Sequence, residues 1–352
     1  MEDRGFVYQS NVVKGNKPVT IGHSYSVLGH LPEKGEGEPN WIVPLVVKRI
    51  ETQETDISVG LKQLAMLMTD DKLPWSGEMC VHVADTKYGT TEYLNGAAKY
   101  DNLVNIIRMR SNRTLYLPPT PIEGDPQSGH PTWYGEPFRL GDPATWPDPD
   151  RTVEMAYSSR RGRAYTITIE TWDEMLMRGT QTAPMHDRPF RLIHITWLDE
   201  EGQPVFKRPM WLAVFGKHRH DLSLPQIQQA YAQRFDLEHF NRLGKQRLLL
   251  TVFQTPDVRR EENWWLIAQL AYIQLWLARY LADYLPRPWE RYLPPPKSSV
   301  ASPSATQRAF QRIIGHLGTP ARSPKPRGYS PGRPKGTYLK PRERFSVVKK
   351  AA

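Results

Sequence analysis

Apolar and polar positions along the chain alternate in ways that separate strands from helices. Residues 19–31 and 41–50 have strand character and are divided by the turn-rich PEKGEGEPN. Val43, Leu45 and Val47 have apolar neighbours too, as in a strand covered on both faces. Over 54–69 the spacing of Ile57, Leu61, Leu64 and Leu67 predicts a helix, with Thr55 or Asp56 as its N-cap. The stretch from Glu78 is an apolar run of strand length that ends on Asp85 and turns at Gly89. A second apolar run over 102–109 leads into Arg108, Arg110 and Arg113.

Residues 118–150 are rich in Pro, Gly and Asp and predict an irregular excursion without packed structure. Strand character returns over 152–215, with β-branched residues at 164–171 and a hairpin-like turn, DEEGQP, between the runs 191–198 and 205–215. Ser223 and Pro225 then open a helix that carries the pattern on to Lys245. The longest apolar run begins at Trp264. Gln269, Gln274, Arg279 and Asp283 interrupt it, so its charge-free part is shorter than the ~20 apolar residues of a membrane span. It predicts a mostly buried helix and no membrane segment.

Within one helix from Tyr231 to Lys245, offsets of 3, 7 and 14 residues place Arg234, Glu238 and Lys245 in a stripe with Tyr231 about 60° wide. Arg242 sits beside it. A carboxylate among cations and an aromatic suits a metal ion held next to phosphate; a solvated face with i,i+3 and i,i+4 ion pairs has the same spacing. Asp85 stands at the carboxyl end of its strand, where α/β folds bind ligands, or where an Asp caps the next helix.

The pattern Tyr231-(2)-Arg234-(3)-Glu238-(6)-Lys245 is similar to the Y-(2)-R-(3)-E-(6)-K signature of DDE transposases of the IS-four type, the enzymes of bacterial insertion sequences. The sequence ADTKYG at Asp85 resembles that family's second catalytic Asp, which ends an apolar strand. The resemblance covers about residues 2–296. It implies a ribonuclease-H-like α/β domain with a β-rich insertion, and double-stranded DNA as partner, both transposon ends and target. It also implies a homodimer on that DNA, in the cytoplasm at the bacterial nucleoid. Asp85 and Glu238 would bind Mg²⁺ or Mn²⁺ in a two-ion site. Arg234, Arg242 and Lys245 would contact DNA phosphates, and Tyr231 would stack on or hydrogen-bond to the DNA.

One part of the pattern is missing. The family's first Asp ends the first strand of the sheet, upstream of a segment like DRGFVYQ, which here begins at Asp3. Asp3 precedes a polar stretch and ends no apolar strand. The expectation is an N-terminally truncated transposase with its first strand missing and little or no activity, because losing a metal ligand costs more than the 10–100-fold typical of outer-shell losses. The alternative is a non-catalytic DNA-binding remnant.

Charge narrows this further. The net charge of +10 belongs to the end of the chain: residues 297–352 hold 13 Lys and Arg against Glu343, leaving 34 basic and 36 acidic residues before them. The body is therefore not a uniformly cationic nucleic-acid binder. The tail has the composition of a disordered cationic extension with one amphipathic piece, 305–317. Its PRGYSPGRPKG resembles the Gly-Arg-Pro core of minor-groove AT-hook peptides. Cys80 is the only cysteine, which excludes a disulfide framework and a Cys-based zinc site. His218 and His220 form an isolated His-x-His pair, and the first residues lack the apolar core of a secretory signal. The expected domains are 1–117 (first part of the sheet), 118–217 (insertion), 218–296 (helical second part) and 297–352 (tail).

Overall fold

The computed structural model describes residues 4–8, 19–35, 37–120, 133–159, 162–253, 255, 257–282, 298–317 and 336. In chain order the elements are β1 (Gly5–Tyr8), β2 (Val19–Gly22), β3 (Tyr25–His30), β4 (Val43–Arg49), α1 (Asp56–Met68), β5 (Cys80–Ala84), α2 (Thr91–Ala97), β6 (Leu103–Met109), β7 (Thr114–Tyr116) and β8 (Pro137–Arg139). They continue with β9 (Arg151–Ser158), β10 (Ala164–Met175), β11 (Phe190–Leu198), β12 (Met210–Phe215), α3 (Leu224–Gln233), α4 (Asp236–Gln246), α5 (Val258–Leu277) and α6 (Pro303–Leu317). The chain forms two compact units, residues 55–235 and residues 1–54 with 236–352.

The 55–235 unit is built on one mixed sheet in the order β5-β6-β12-β11-β10-β9. β5 and β6 run parallel, joined through α2; every other pair is antiparallel. The β-rich stretch expected as an insertion thus continues the sheet begun by β5 and β6. One sheet face packs on α1, α2 and the β7–β8 hairpin through Leu64, Tyr93, Leu115, Phe138 and Trp211. The other packs on α3, where Ile106, Ile193 and Val214 meet Leu224, Ile227 and Tyr231. Gly216 lets the chain leave β12 toward α3: its φ is +120°, and a Cβ there would meet the Leu103 carbonyl oxygen at 2.3 Å.

The irregular excursion expected at 118–150 is packed in its described part. Phe138 and Leu140 are buried in the core, because β8 pairs with β7 and turns Phe138 inward. Residues 121–132 lie outside the described residues.

In the other unit β3 and β4 form an antiparallel hairpin with a bulge at Leu28/Gly29. The single strand expected over 19–31 is two, separated at His23 and Ser24. The reason is a tertiary bond: buried His23 has its Nδ1 2.9 Å from Glu261 Oε2, and the Tyr25 hydroxyl donates to Glu261 Oε1 at 3.0 Å. Trp41, Ile42, Phe240, Leu243, Tyr272 and Leu275 form the core here. α5, expected to be mostly buried, buries only one side; Leu266, Ile267, Leu270 and Leu277 are each more than half exposed. Among the described residues no helix is long and apolar enough to cross a membrane. The amphipathic piece of the tail is helix α6, which packs through Ala309 and Ile313 on Ala278. The AT-hook-like segment, apart from Gly336, and Asp3 lie outside the described residues.

Candidate active site

Asp85 directly follows β5, an apolar strand that ends where its parallel neighbour β6 continues. The Lys87 N–H donates to Asp85 Oδ1 at 2.9 Å, so the side chain caps the short 3₁₀ turn Thr86–Tyr88. The carboxylate is exposed. The two readings of this Asp therefore hold together. One oxygen is used locally, and the group still faces solvent at the carboxyl end of a parallel pair, open to a hard cation that takes oxygen ligands.

α3 begins as the sequence predicts: Ser223 and Gln226 form a capping box, with Pro225 in the first turn. It ends earlier than predicted. Arg234 and Phe235 form a turn, with the Arg234 N–H bonded to Tyr231 O at 3.1 Å and the Phe235 N–H to Ala232 O at 3.2 Å. α4 starts afresh at Asp236. The single helix assumed for the Tyr231–Lys245 stripe is therefore two, with Tyr231 on α3 and Glu238, Arg242 and Lys245 on α4. The cause lies at Asp236. Its side chain is 2% exposed and ion-paired with Lys34 at 2.7 Å, and as a first-turn acid it favours a new helix N-terminus.

Tyr231 is fully buried in the core beneath α3. This differs from the stacking contact expected of it. A ring with no exposed face supports its neighbours, and the Arg234 guanidinium lies 5.6 Å from its centroid. Burial pushes the Tyr231 phenol up, the Arg234 and Arg108 cations pull it down, and Asp85 adds to the rise. Asp85, Arg108 and Arg234 of the 55–235 unit thus all act electrostatically on the buried Tyr231 phenol. Arg108 was visible in the sequence only as part of a basic run. Its alternation with Val104 and Ile106 turns it to the face that α3 covers.

In the other unit, Glu238, Arg242 and Lys245 are exposed on α4 while Phe240 and Leu243 are buried. Offsets of 4 and 7 keep these three polar residues within about 60° on one helix face. Asp236, beside them, carried no local signal, since its partner Lys34 is 202 residues away. Burial pushes the Asp236 carboxyl up, and the Lys34 hydrogen bond and charge oppose this.

His218 and His220 sit in the loop before α3. His218 Nδ1 is 2.6 Å from Asp221 Oδ2, and His220 Nε2 is 3.4 Å from Glu174 Oε1. Both are loop residues held by carboxylates. Among the described residues no three His, Cys, Asp or Glu side chains stand close enough together to hold a metal ion.

Comparison with curated proteins gives no match. The family model described as DDE superfamily endonuclease matches residues 3–179, half of the chain. The matched span takes in α1, β5 with Asp85, β6 with Arg108, and β9 and β10 of the central sheet; it ends before α3 and α4, so the match is independent of the Tyr231–Lys245 signature. A mixed sheet with helices on both faces is consistent with the ribonuclease-H-like architecture of DDE nucleases, and the chain belongs to the DDE superfamily endonuclease family.

Proposed function

We propose that the chain is an insertion-sequence transposase of the IS-four type that cuts DNA. The observation that carries this reading is Asp85: within the family match, at the carboxyl end of β5, and exposed. Family membership implies a DNA substrate and divalent-metal-dependent cleavage. Mg²⁺ or Mn²⁺, as a pair of ions, would supply an activated nucleophile and stabilise the leaving oxygen.

The chain's own residues have separate tasks in this reading. Asp85 and Glu238 each offer a solvent-facing carboxylate to a hard cation. Arg234, seated over the buried Tyr231 ring, presents a guanidinium to phosphate, and Tyr231 limits the conformations it can adopt. Arg242 and Lys245, on the same face of α4 as Glu238, neutralise backbone phosphates. The protein works as a homodimer on DNA at the nucleoid.

The test is nicking of supercoiled plasmid by the purified chain with Mn²⁺ or Mg²⁺. Metal-dependent nicking that is lost in both Asp85→Asn and Glu238→Gln is the expected result. Duplex binding with no metal-dependent nicking would replace this reading with a non-catalytic DNA-binding remnant. Nicking that survives both substitutions would remove these carboxylates from the mechanism.

A further inference from the structure

Side chains alternate between the two faces of a sheet, and the cross-strand register fixes which of them share the face that α3 covers. Under α3 that face is aliphatic, with Ile167, Ile169, Ile193 and Ile195. Toward the ends of β9, β10 and β11 it becomes aromatic. Tyr157 pairs with Tyr165 across the strands, and Trp197 follows Ile195 on the same face. The rings form one cluster: Tyr157 to Trp197 5.1 Å, Tyr165 to Trp197 6.2 Å, Tyr157 to Tyr165 6.4 Å, and Phe206 to Trp197 6.2 Å. Tyr157 is 45% and Phe206 59% exposed. No structural need of the core explains two large rings left in water on the back of a third.

Cations hold the register-paired charged positions of this face, with Asp85 at its β5 end. At register-paired positions its charged side chains are Arg108, Arg151 and Arg191, while the acids Glu154 and Glu170 alternate to the opposite face. Arg191 is already bonded to Asp173 in the β10 bulge at 2.8 Å, which leaves Arg108 near Tyr231 and Arg151 on β9. At the aromatic end the loops add Arg163, Lys207 and Arg208, set against Asp199, Glu200 and Glu201. Asp199 and Glu200 are engaged by backbone N–H groups of Gln203 and Ala164.

We propose that Tyr157, Tyr165, Trp197 and Phe206 form a stacking platform for the unpaired bases of single-stranded DNA. Every base has a π face, so aromatic rings beside cations bind unpaired strands without reading sequence. The platform shares a sheet face with α3, which carries Tyr231 and is capped by Arg234, so a strand frayed near those residues meets aromatic rings along the same surface. The inference rests on the reading that the chain acts on DNA and extends it to a ligand, the unpaired strand, that the carboxylates do not recognise.

The test is fluorescence anisotropy of the full chain with a labelled oligothymidine and with an abasic phosphodeoxyribose oligomer of equal length. Tighter binding of oligothymidine is expected, with Tyr157→Ala/Phe206→Ala weakening it roughly 10–100-fold and leaving the abasic oligomer unchanged. Tyr157→Phe should keep the affinity; Tyr157→Leu, which retains apolar area, should lose it. Equal affinity of the wild type for both oligomers would overturn the proposal. So would a double variant that dissociates a dimer in sedimentation but binds oligothymidine as before, which would make the patch a protein interface. Asp85→Asn should bind oligothymidine normally, so failed cleavage with intact binding would sink the nuclease reading alone.

Discussion

Lys34 and Asp236 close a 2.7 Å ion pair across 202 residues of sequence, with the Asp236 side chain almost wholly enclosed. The pair fixes the start of α4 and so the presentation of Glu238, two residues along. Lys34→Met should leave the carboxylate buried without its cation and lower stability by about 3 kcal/mol, read as a shift of the denaturant midpoint. Adding Asp236→Asn should recover part of the loss. The pH dependence has a definite sign. The folded Asp236 carboxyl lies above its ordinary value because of burial, so the folded state holds the proton more tightly than the unfolded one. This residue's contribution is most favourable at low pH and declines as pH rises from the ordinary to the raised value. Lys34→Met should extend that decline to higher pH.

Glu261 behaves in the opposite sense. Burial would raise its carboxyl, but the His23 hydrogen bond and charge, followed by Tyr25 and Arg49, outweigh burial and hold it below the ordinary carboxylate range. A depressed folded value means that stability is present above the unfolded value, about 4.3 for Glu, and is lost as pH falls through the folded value. Melting temperatures of the wild type should fall on acidification through this range, and Glu261→Gln should flatten that part of the profile. A variant as acid-sensitive as the wild type there would show that another group carries the dependence.

Capping and cleavage can be separated at Asp85. Asp85→Asn keeps an oxygen for the Lys87 N–H and should retain stability, whereas Asp85→Ala should cost about 1 kcal/mol. Both should abolish metal-dependent nicking. Nicking by the stable Asn variant would reduce Asp85 to a cap.

The tail should be divided at residue 318 rather than 297. α6 packs on Ala278 through Ala309 and Ile313, so deleting 298–352 should lower the melting temperature. Deletion of 318–352 removes ten of the 13 tail Lys and Arg and should leave the melting temperature unchanged. It should also make duplex affinity fall less steeply with salt, since fewer phosphate contacts release fewer counterions. An unaltered salt slope would show that the tail does not engage DNA.

What the sequence revealed and what it hid divide by the range of the interactions. α1 with its Thr55 cap, β5 ending at Asp85, and Ser223 opening α3 were legible because propensity, alternation and capping act within a few residues. The break at Arg234–Phe235 was not, because the residue that drives it, Asp236, answers to Lys34. Tyr231 looked like an exposed contact because helical spacing gives a face but not what covers it; Ile227 and the sheet do so. Membership of β9–β12 in the sheet of β5 was hidden because strand pairing over such separations has no local signature. Phe138 shows the same limit, a core residue inside a Pro- and Gly-rich stretch.

The arrangement of the two units sets an order on synthesis. The unit made of 1–54 and 236–352 is discontinuous, with the whole 55–235 unit inserted in it. Its first strands leave the ribosome long before their partners: His23 and Tyr25 must wait for Glu261, and Trp41 for Tyr272. At about 5–20 residues per second that wait lasts about 12–48 s. During it the β3–β4 hairpin has no core, and the inserted unit has every residue it needs. The sheet bearing Asp85 therefore matures first, and the helix bearing Glu238 last.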